Sequence, residues 1–392
     1  MLSAGAPGLA EACCDRWADG SGRLALIRPR PEGPEEAVTF DALHVTSCRV
    51  AQVLRAHGIG RRDRVGILLP QGAEAVIALL AAWRLGAIAV PLARMLDGPA
   101  LGYRLDHAGV AALVTDDAGL AATEALRPGL SRLRLVLGTE RAGRGALSFW
   151  EEAGRAPGGD PGTTVAGGDP ALILYAADAA GRARGVLHAH RALAGHLPGV
   201  AALHDGFPQP GDRFWTPADW AWRSGLFDAL LPALFHGVPI LAAPMPRFDG
   251  ARALALMARH GVRNLVVPAT ALGALRDAGA TGARLRSIAT LGAPGDAAMA
   301  AAVASGLGAS LRCGHAAPEC NLVLLGGADP AGPARAVPGL EVAVVDADGR
   351  AVPDGQSGIL AVRRDHPAVC LGQWKAPADG ARRPWLALGT NA

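Results

Sequence analysis

Two arginines, Arg182 and Arg184, and one carboxylate, Asp178, sit in a short glycine-bearing stretch between two apolar runs, a setting in which a chain can grip phosphate. The first run is Leu172, Ile173, Leu174 and Tyr175, and the second restarts at Val186 and Leu187. This reads as strand, loop and next element. Gly181 and Gly185 free backbone N–H groups, and the arginines supply positive charge. The third ingredient of such a loop, side-chain hydroxyls, is missing, because residues 176, 177, 179 and 180 are all alanine. Each hydrogen bond left unmade to a charged ligand is worth about 1–3 kcal/mol. Asp178 adds like-charge repulsion toward a phosphate. A loop rebuilt around Mg²⁺ at Asp178 is one outcome, and a turn that merely joins two strands is the expected one.

Three other groups of residues could carry chemistry. Glu319, in Leu311–Asn321, offers hard oxygens suited to Mg²⁺, although a lone glutamate at a strand end is more often solvated. Trp215, Trp220, Trp222 and Phe227 concentrate aromatic rings in a chain that is only 4% aromatic, and read as either core or an apolar pocket. Six cysteines lack metal-ligand or disulfide spacing: Cys13 and Cys14 are adjacent, Cys48 and Cys370 are isolated, and no second pair accompanies Cys313 and Cys320. They read as reduced, buried thiols. His188 and His190 read as structural.

In register, residues 176–185 stand where the adenylate-forming enzymes (acyl-CoA synthetases, adenylation domains and luciferases) carry T-S-G-T-T-G-x-P-K-G, so Arg184 takes the place of the lysine. The resemblance extends over essentially the whole chain. Val90–Asp116, Asp212–Ile240, Val262–Leu272 and Val344–Val362 each resemble segments of short- and medium-chain acyl-CoA synthetases. It implies a degenerate nucleotide site made of Asp178, Gly181, Arg182, Arg184, Gly185, the adenine-side turn Gly292, Ala293 and Pro294, then His315 at the aromatic position, Glu319 as the surviving acid and metal ligand, and Thr390 where the family has its ribose aspartate. It implies an acyl pocket bordered by Trp220, Trp222, Gly225 and Phe227. ATP or AMP and Mg²⁺ are the implied cofactors. The family's small C-terminal lid domain, with its adenylation lysine and half of the thioester-forming site, is expected to be absent after Ala392; Lys375, the only lysine, lies in the wrong segment to replace it. That makes CoA a doubtful ligand and a separately supplied lid domain a possible partner.

The elements that must hold these residues alternate between strand and helix signals, which implies an α/β protein with largely parallel sheets. Val65–Leu69 reads as a strand, Glu74–Leu85 as a helix with Val76, Ile77, Leu80 and Trp83 at helical spacing, and Ile88–Pro91 and Ala111–Thr115 as strands. Gly- and Pro-rich seams fall at Ala156–Pro170 and Gly326–Gly339. Beyond the second, Glu341–Val345 and Gly358–Val362 look antiparallel. The resemblance implies two packed α/β subdomains, residues 1–165 and 166–335, plus a distorted β-barrel subdomain over 336–392. A formal net charge of +3 is too small for a nucleic-acid surface. The most apolar stretch, Ala73–Leu92, is broken by Arg84 and closed by Pro91, so no membrane span is expected. The start lacks the features of a secretory signal, so a cytoplasmic protein is expected.

The functional reading at this stage is an AMP-forming acyl-CoA synthetase homologue, truncated and impaired as a catalyst, that keeps an acyl or weak nucleotide pocket. The alternatives are an active carboxylate–CoA ligase with a rebuilt loop and a lid supplied in trans, and a decaying gene product.

Overall fold

The computed structural model describes residues 7–30, 34–140, 143, 145–178, 180–292, 294–327, 332–353, 355–376 and 384–391. Apolar runs of four or five residues, too short to span a helix, form strands. Ile88–Pro91, Ala112–Thr115 and Leu135–Gly138 are buried at every position, as strands covered on both faces must be. They belong to an eight-stranded sheet in the order Gly372–Gln373, Ala183–Ala189, Pro170–Ala177, Ile88–Pro91, Arg64–Leu68, Ala112–Thr115, Leu135–Gly138, Leu147–Ser148. Six of these run parallel, and the hairpin strand Ala183–Ala189 and the edge strand Gly372–Gln373 complete the sheet in antiparallel pairings.

A nine-stranded sheet lies beside it. Its parallel centre is Ser310–Ala317, Ser287–Leu291, Asn264–Pro268, Phe214–Trp215, Ile240–Leu241 and Leu24–Arg28, flanked on one side by the antiparallel strands Asn321–Gly326 and Arg335–Ala336 and on the other by Glu36–Thr39. The sheets exchange strands across the sequence-based boundary at 165/166. Leu24–Arg28 and Glu36–Thr39 join the second sheet, while Pro170–Ala177 and Ala183–Ala189 join the first. In the C-terminal part, the described residues form a three-stranded antiparallel sheet, Val342–Val345, Ile359–Arg363 and Trp385–Asn391.

The helix Ala73–Arg84 is buried on nearly all sides, which explains its apolar run; no helix among the described residues is long and apolar enough to cross a membrane. Trp83 Nε1 donates to the Ala171 carbonyl at 2.9 Å, tying this helix to the strand that leads into the loop. Arg84 ends it with a side chain only 1% exposed. Its guanidinium bonds Ser47 Oγ at 3.0 Å and Asp160 at 2.9 Å, and also pairs with Asp15. A buried arginine is tolerable only with such partners, so the residue that interrupts the apolar run is an internal clasp binding three parts of the chain.

Candidate active site and its partners

Both sheets turn the C-terminal ends of their parallel strands toward one crevice, the place where open α/β sheets bind ligands. The segments that follow five of those strands line a single cavity of about 600 Å³: Gln71 after Arg64–Leu68, Arg94 after Ile88–Pro91, Trp222 after Phe214–Trp215, Phe248 after Ile240–Leu241 and Thr270 after Asn264–Pro268. Gln71 bridges the two sheets, with Nε2 donating to the carbonyls of Thr216 (3.0 Å) and Ala218 (2.6 Å) and Oε1 accepting from the Ala243 N–H (3.0 Å).

The loop after Pro170–Ala177 is a tight hairpin turn. Asp178 organises it. Its Oδ1 accepts the backbone N–H of Ala180 (2.9 Å) and of Arg182 (2.8 Å), and its Oδ2 accepts Arg182 Nε (2.9 Å). The Asp178 N–H donates to the Arg182 carbonyl and the Gly181 N–H to the Asp178 carbonyl, at 2.8 and 2.9 Å. Gly181 sits at φ +76°, a left-handed conformation that favours glycine. The amides of Ala180 and Arg182 are thus given to a carboxylate of the same loop, and that of Gly181 to a main-chain carbonyl. Backbone N–H donation from Arg182, with help from its side chain, holds the Asp178 carboxyl below the ordinary aspartate range. Both Asp178 oxygens are engaged in this way within the loop.

Arg184, on the returning strand, points across the crevice and pairs with Glu319 from the other sheet, Nη2 to Oε1 at 2.5 Å. Arg184 Nη1 and Glu319 Oε2 are buried without a hydrogen-bond partner. Two residues on, Asn321 stands at φ +63° with both side-chain polar atoms buried and unpartnered. Gly185 follows on the same strand, and a Cβ there would press on Ile173 and Trp374. Gly292, at φ +84°, ends Ser287–Leu291 and donates to the Gly314 carbonyl, with Pro294 buried beyond it; Ala293 lies outside the described residues. His315 is exposed beside a bulge in Ser310–Ala317. Thr390 lies in the strand Trp385–Asn391, and its side chain is outside the described residues. Among the described residues no three of His, Cys, Asp and Glu converge to hold a metal ion.

The aromatic segment divides. Trp222 is 43% exposed and lines the cavity, whereas Trp220 and Phe227 are buried and, like Gly225, stand outside its lining. A Cβ on Gly225 would lie 2.3 Å from the Asp219 carbonyl oxygen, so the close turn requires glycine. Phe227 packs between His188 and His196, at ring distances of 5.5 and 5.7 Å. Next to it a charged cluster escapes notice in the sequence. Asp228, fully buried on a π-helical turn at Leu226–Leu230, lies 3.0 Å from His196 Nε2 and 2.9 Å from Arg223 Nη1. Burial alone would raise its carboxyl, but Arg223 and His196 outweigh that and hold it below the ordinary range. The one sequence signal is a lone acid five residues after a lone arginine in an apolar run. Asp228→Ala removes the counter-charge of Arg223, so a loss of about 3–5 kcal/mol in unfolding free energy is expected in urea denaturation.

The chain is 28% identical over 403 residues to the acetyl-coenzyme A synthetase of Ralstonia nicotianae, an alignment that covers 91% of this chain and 60% of that protein. It therefore spans about 60% of the length of this curated relative. The crystal structure of the Brucella canis acyl-CoA synthetase superposes with a TM-score of 0.85 at 26% identity, over 100% of this chain and 74% of that one. The N-terminal domain of FACL13 from Mycobacterium tuberculosis shares the fold at a TM-score of 0.84 and 21% identity, covering 98% of this chain and 97% of that one. The family described as AMP-binding enzyme matches residues 14–372, and the chain belongs to it.

Proposed function

We propose that this chain is the large domain of an AMP-forming, carboxylic-acid-activating ligase of the acyl-CoA synthetase type, impaired in adenylate formation because its phosphate loop is satisfied from within. ATP or AMP is the nucleotide that membership of the AMP-binding family implies, and small-molecule carboxylic acids are the substrate class. One observation carries the proposal: Asp178 accepts loop amides and Arg182, while Arg184, in the position of the family's lysine, is paired with Glu319. A triphosphate would have to displace both contacts. Four alanines where the family has hydroxyls and glycine-spaced donors offer nothing in return.

Calorimetry with ATP and Mg²⁺ tests the reading. Four missing hydroxyl donors at about 1–3 kcal/mol each put the expected dissociation constant in the millimolar range or weaker. Micromolar binding would overturn it. A second reading, an active carboxylate–CoA ligase completed by a lid domain on another chain, is favoured by the cavity at the strand ends, which is roomy enough for a small ligand. Acid-dependent release of pyrophosphate by this chain together with such a domain distinguishes the two.

A further inference from the structure

The four neighbouring strands Leu24–Arg28, Ile240–Leu241, Phe214–Trp215 and Asn264–Pro268 have a second set of ends, away from the crevice. There the segments that lead into them line a cleft of about 520 Å³, formed by Arg23, residues 208–213, residues 236–239 and Gly261. Pro208, Pro210 and Pro239 stiffen its rim before anything binds. Three charged residues stand in the wall. Asp212 is taken: its oxygens accept Arg286 Nε and Nη2 at 2.9 and 2.7 Å, and the Gln209 N–H at 2.8 Å. Arg213 spends one N–H on the His260 carbonyl, and Arg23 makes one long contact, 3.5 Å, with the Gly237 carbonyl. Among the described residues neither arginine has a carboxylate within ion-pair distance.

Acids near the cleft are engaged elsewhere. Asp41 accepts the Gly20 and Gly22 N–H groups at 2.8 and 3.0 Å, and Glu35 lies 2.9 Å from His260 Nδ1. The exposed Asp19 feels the charge of Arg23, but less than its own hydrogen bonds to Ser21. Two more arginines add charge of the other sign. Arg16 lies 4.7 Å from the centre of the Trp17 ring, which Arg23 also covers at 4.5 Å, and Arg263 Nη1 lies beside Gly211. His236 contributes no charge at neutral pH, because burial and then Arg16 lower its imidazole to about 4.

We infer that this cleft binds a small phosphate monoester, at a site separate from the crevice. Such an ester carries nearly two negative charges at neutral pH and three acceptor oxygens, which match two guanidinium forks without carboxylate partners. A monoanion satisfies one fork only. A neutral ligand gains contact with the prolines and nothing more. The inference goes beyond the adenylation reading and does not depend on it, since none of these residues belongs to the phosphate loop or to the cavity at the other strand ends.

The test titrates phenyl phosphate, benzenesulfonate and benzyl alcohol into the intact chain at neutral pH and low salt, by calorimetry and tryptophan fluorescence. Phenyl phosphate is expected to bind about tenfold tighter than benzenesulfonate, with benzyl alcohol weakest, and added NaCl should weaken the phosphate most. Arg23→Gln and Arg213→Gln should each cost phenyl phosphate about tenfold and leave benzyl alcohol unchanged. Arg23 is exposed, so its substitution leaves the fold intact; Arg213→Lys keeps the charge and should retain most of the binding that Arg213→Gln loses. Equal affinity for phosphate and sulfonate overturns the inference, as do the absence of phenyl phosphate binding and binding that survives both glutamine substitutions.

Discussion

Acidification from pH 7 to about pH 4.5 is expected to unfold this protein, driven by histidines folded in their neutral form. His188, His190 and His204 are buried, and burial is the main force lowering their imidazoles, His188 and His190 to about 4 and His204 to about 3. Arg223 and His196 add to the effect at His188, and Arg286 does so at His204. In the unfolded chain each returns to about 6.5. Above that value neither state binds the proton and the full stability is present. As the pH falls below it the unfolded state takes up protons that the folded state refuses, so stability drops with pH until the folded value is reached. At about 1.4 kcal/mol per unit, each group loses roughly 2–3 kcal/mol by pH 4.5, against a typical total of about 5–15 kcal/mol. Below the ordinary aspartate range the depressed carboxyl of Asp228 adds a loss of the same sign. Urea midpoints at stepped pH check this. A midpoint that stays constant between pH 6.5 and 4.5 would sink the argument, whereas His188→Phe should flatten part of the slope.

None of those histidines announces itself in the sequence, and the reason applies to the site as a whole. Periodicity reports which face of an element is apolar, so strands and helices were legible to within a residue. Ile88–Pro91 coincides with its expectation, Glu74–Leu85 appears as Ala73–Arg84, and Ala111–Thr115 as Ala112–Thr115. Which sheet a strand joins is set by long-range pairing, and there the reading by sequence order departs from the structure at Leu24–Arg28 and at the Pro170–Ala189 hairpin. Side-chain partnership is less legible still. Residue types showed that Asp178 and Arg184 were unusual in a phosphate loop, but not that the first would cap its own turn or that the second would reach Glu319, 135 positions away in the chain. Asp228 and Arg223 look like stray charges in an apolar segment until the fold brings His196 beside them. The aromatic cluster divides for the same reason: only Trp222 turns outward to the cavity.

Grafting T-S-G-T-T over residues 176–180 is expected to improve ATP binding by up to about a thousandfold, because it removes the internal carboxylate and restores four hydroxyl donors at about 1 kcal/mol apiece. The frame is suited to the exchange. Tyr175 pairs with Gly185, Ala176 with Arg184 and Ala177 with Ala183, so the hairpin register is fixed by strands the graft leaves largely intact. Asp178→Gly alone frees the N–H groups of Ala180 and Arg182 without adding hydroxyls and should recover only part of the gain. Arg182 then loses its partner as well, and its charge becomes available to phosphate. Glu319→Gln separates the second contact, releasing Arg184 from its ion pair while keeping the size of the side chain. If internal satisfaction is what excludes the nucleotide, the graft and Glu319→Gln should reinforce one another, since a triphosphate needs the amides and the cation together. Calorimetry on the starting chain, the graft, Glu319→Gln and the double variant decides it. An unchanged ATP affinity in the double variant would show that the loop is not the obstacle and would move attention to His315 and Thr390, where the resemblance expects an aromatic ring and a ribose-binding aspartate.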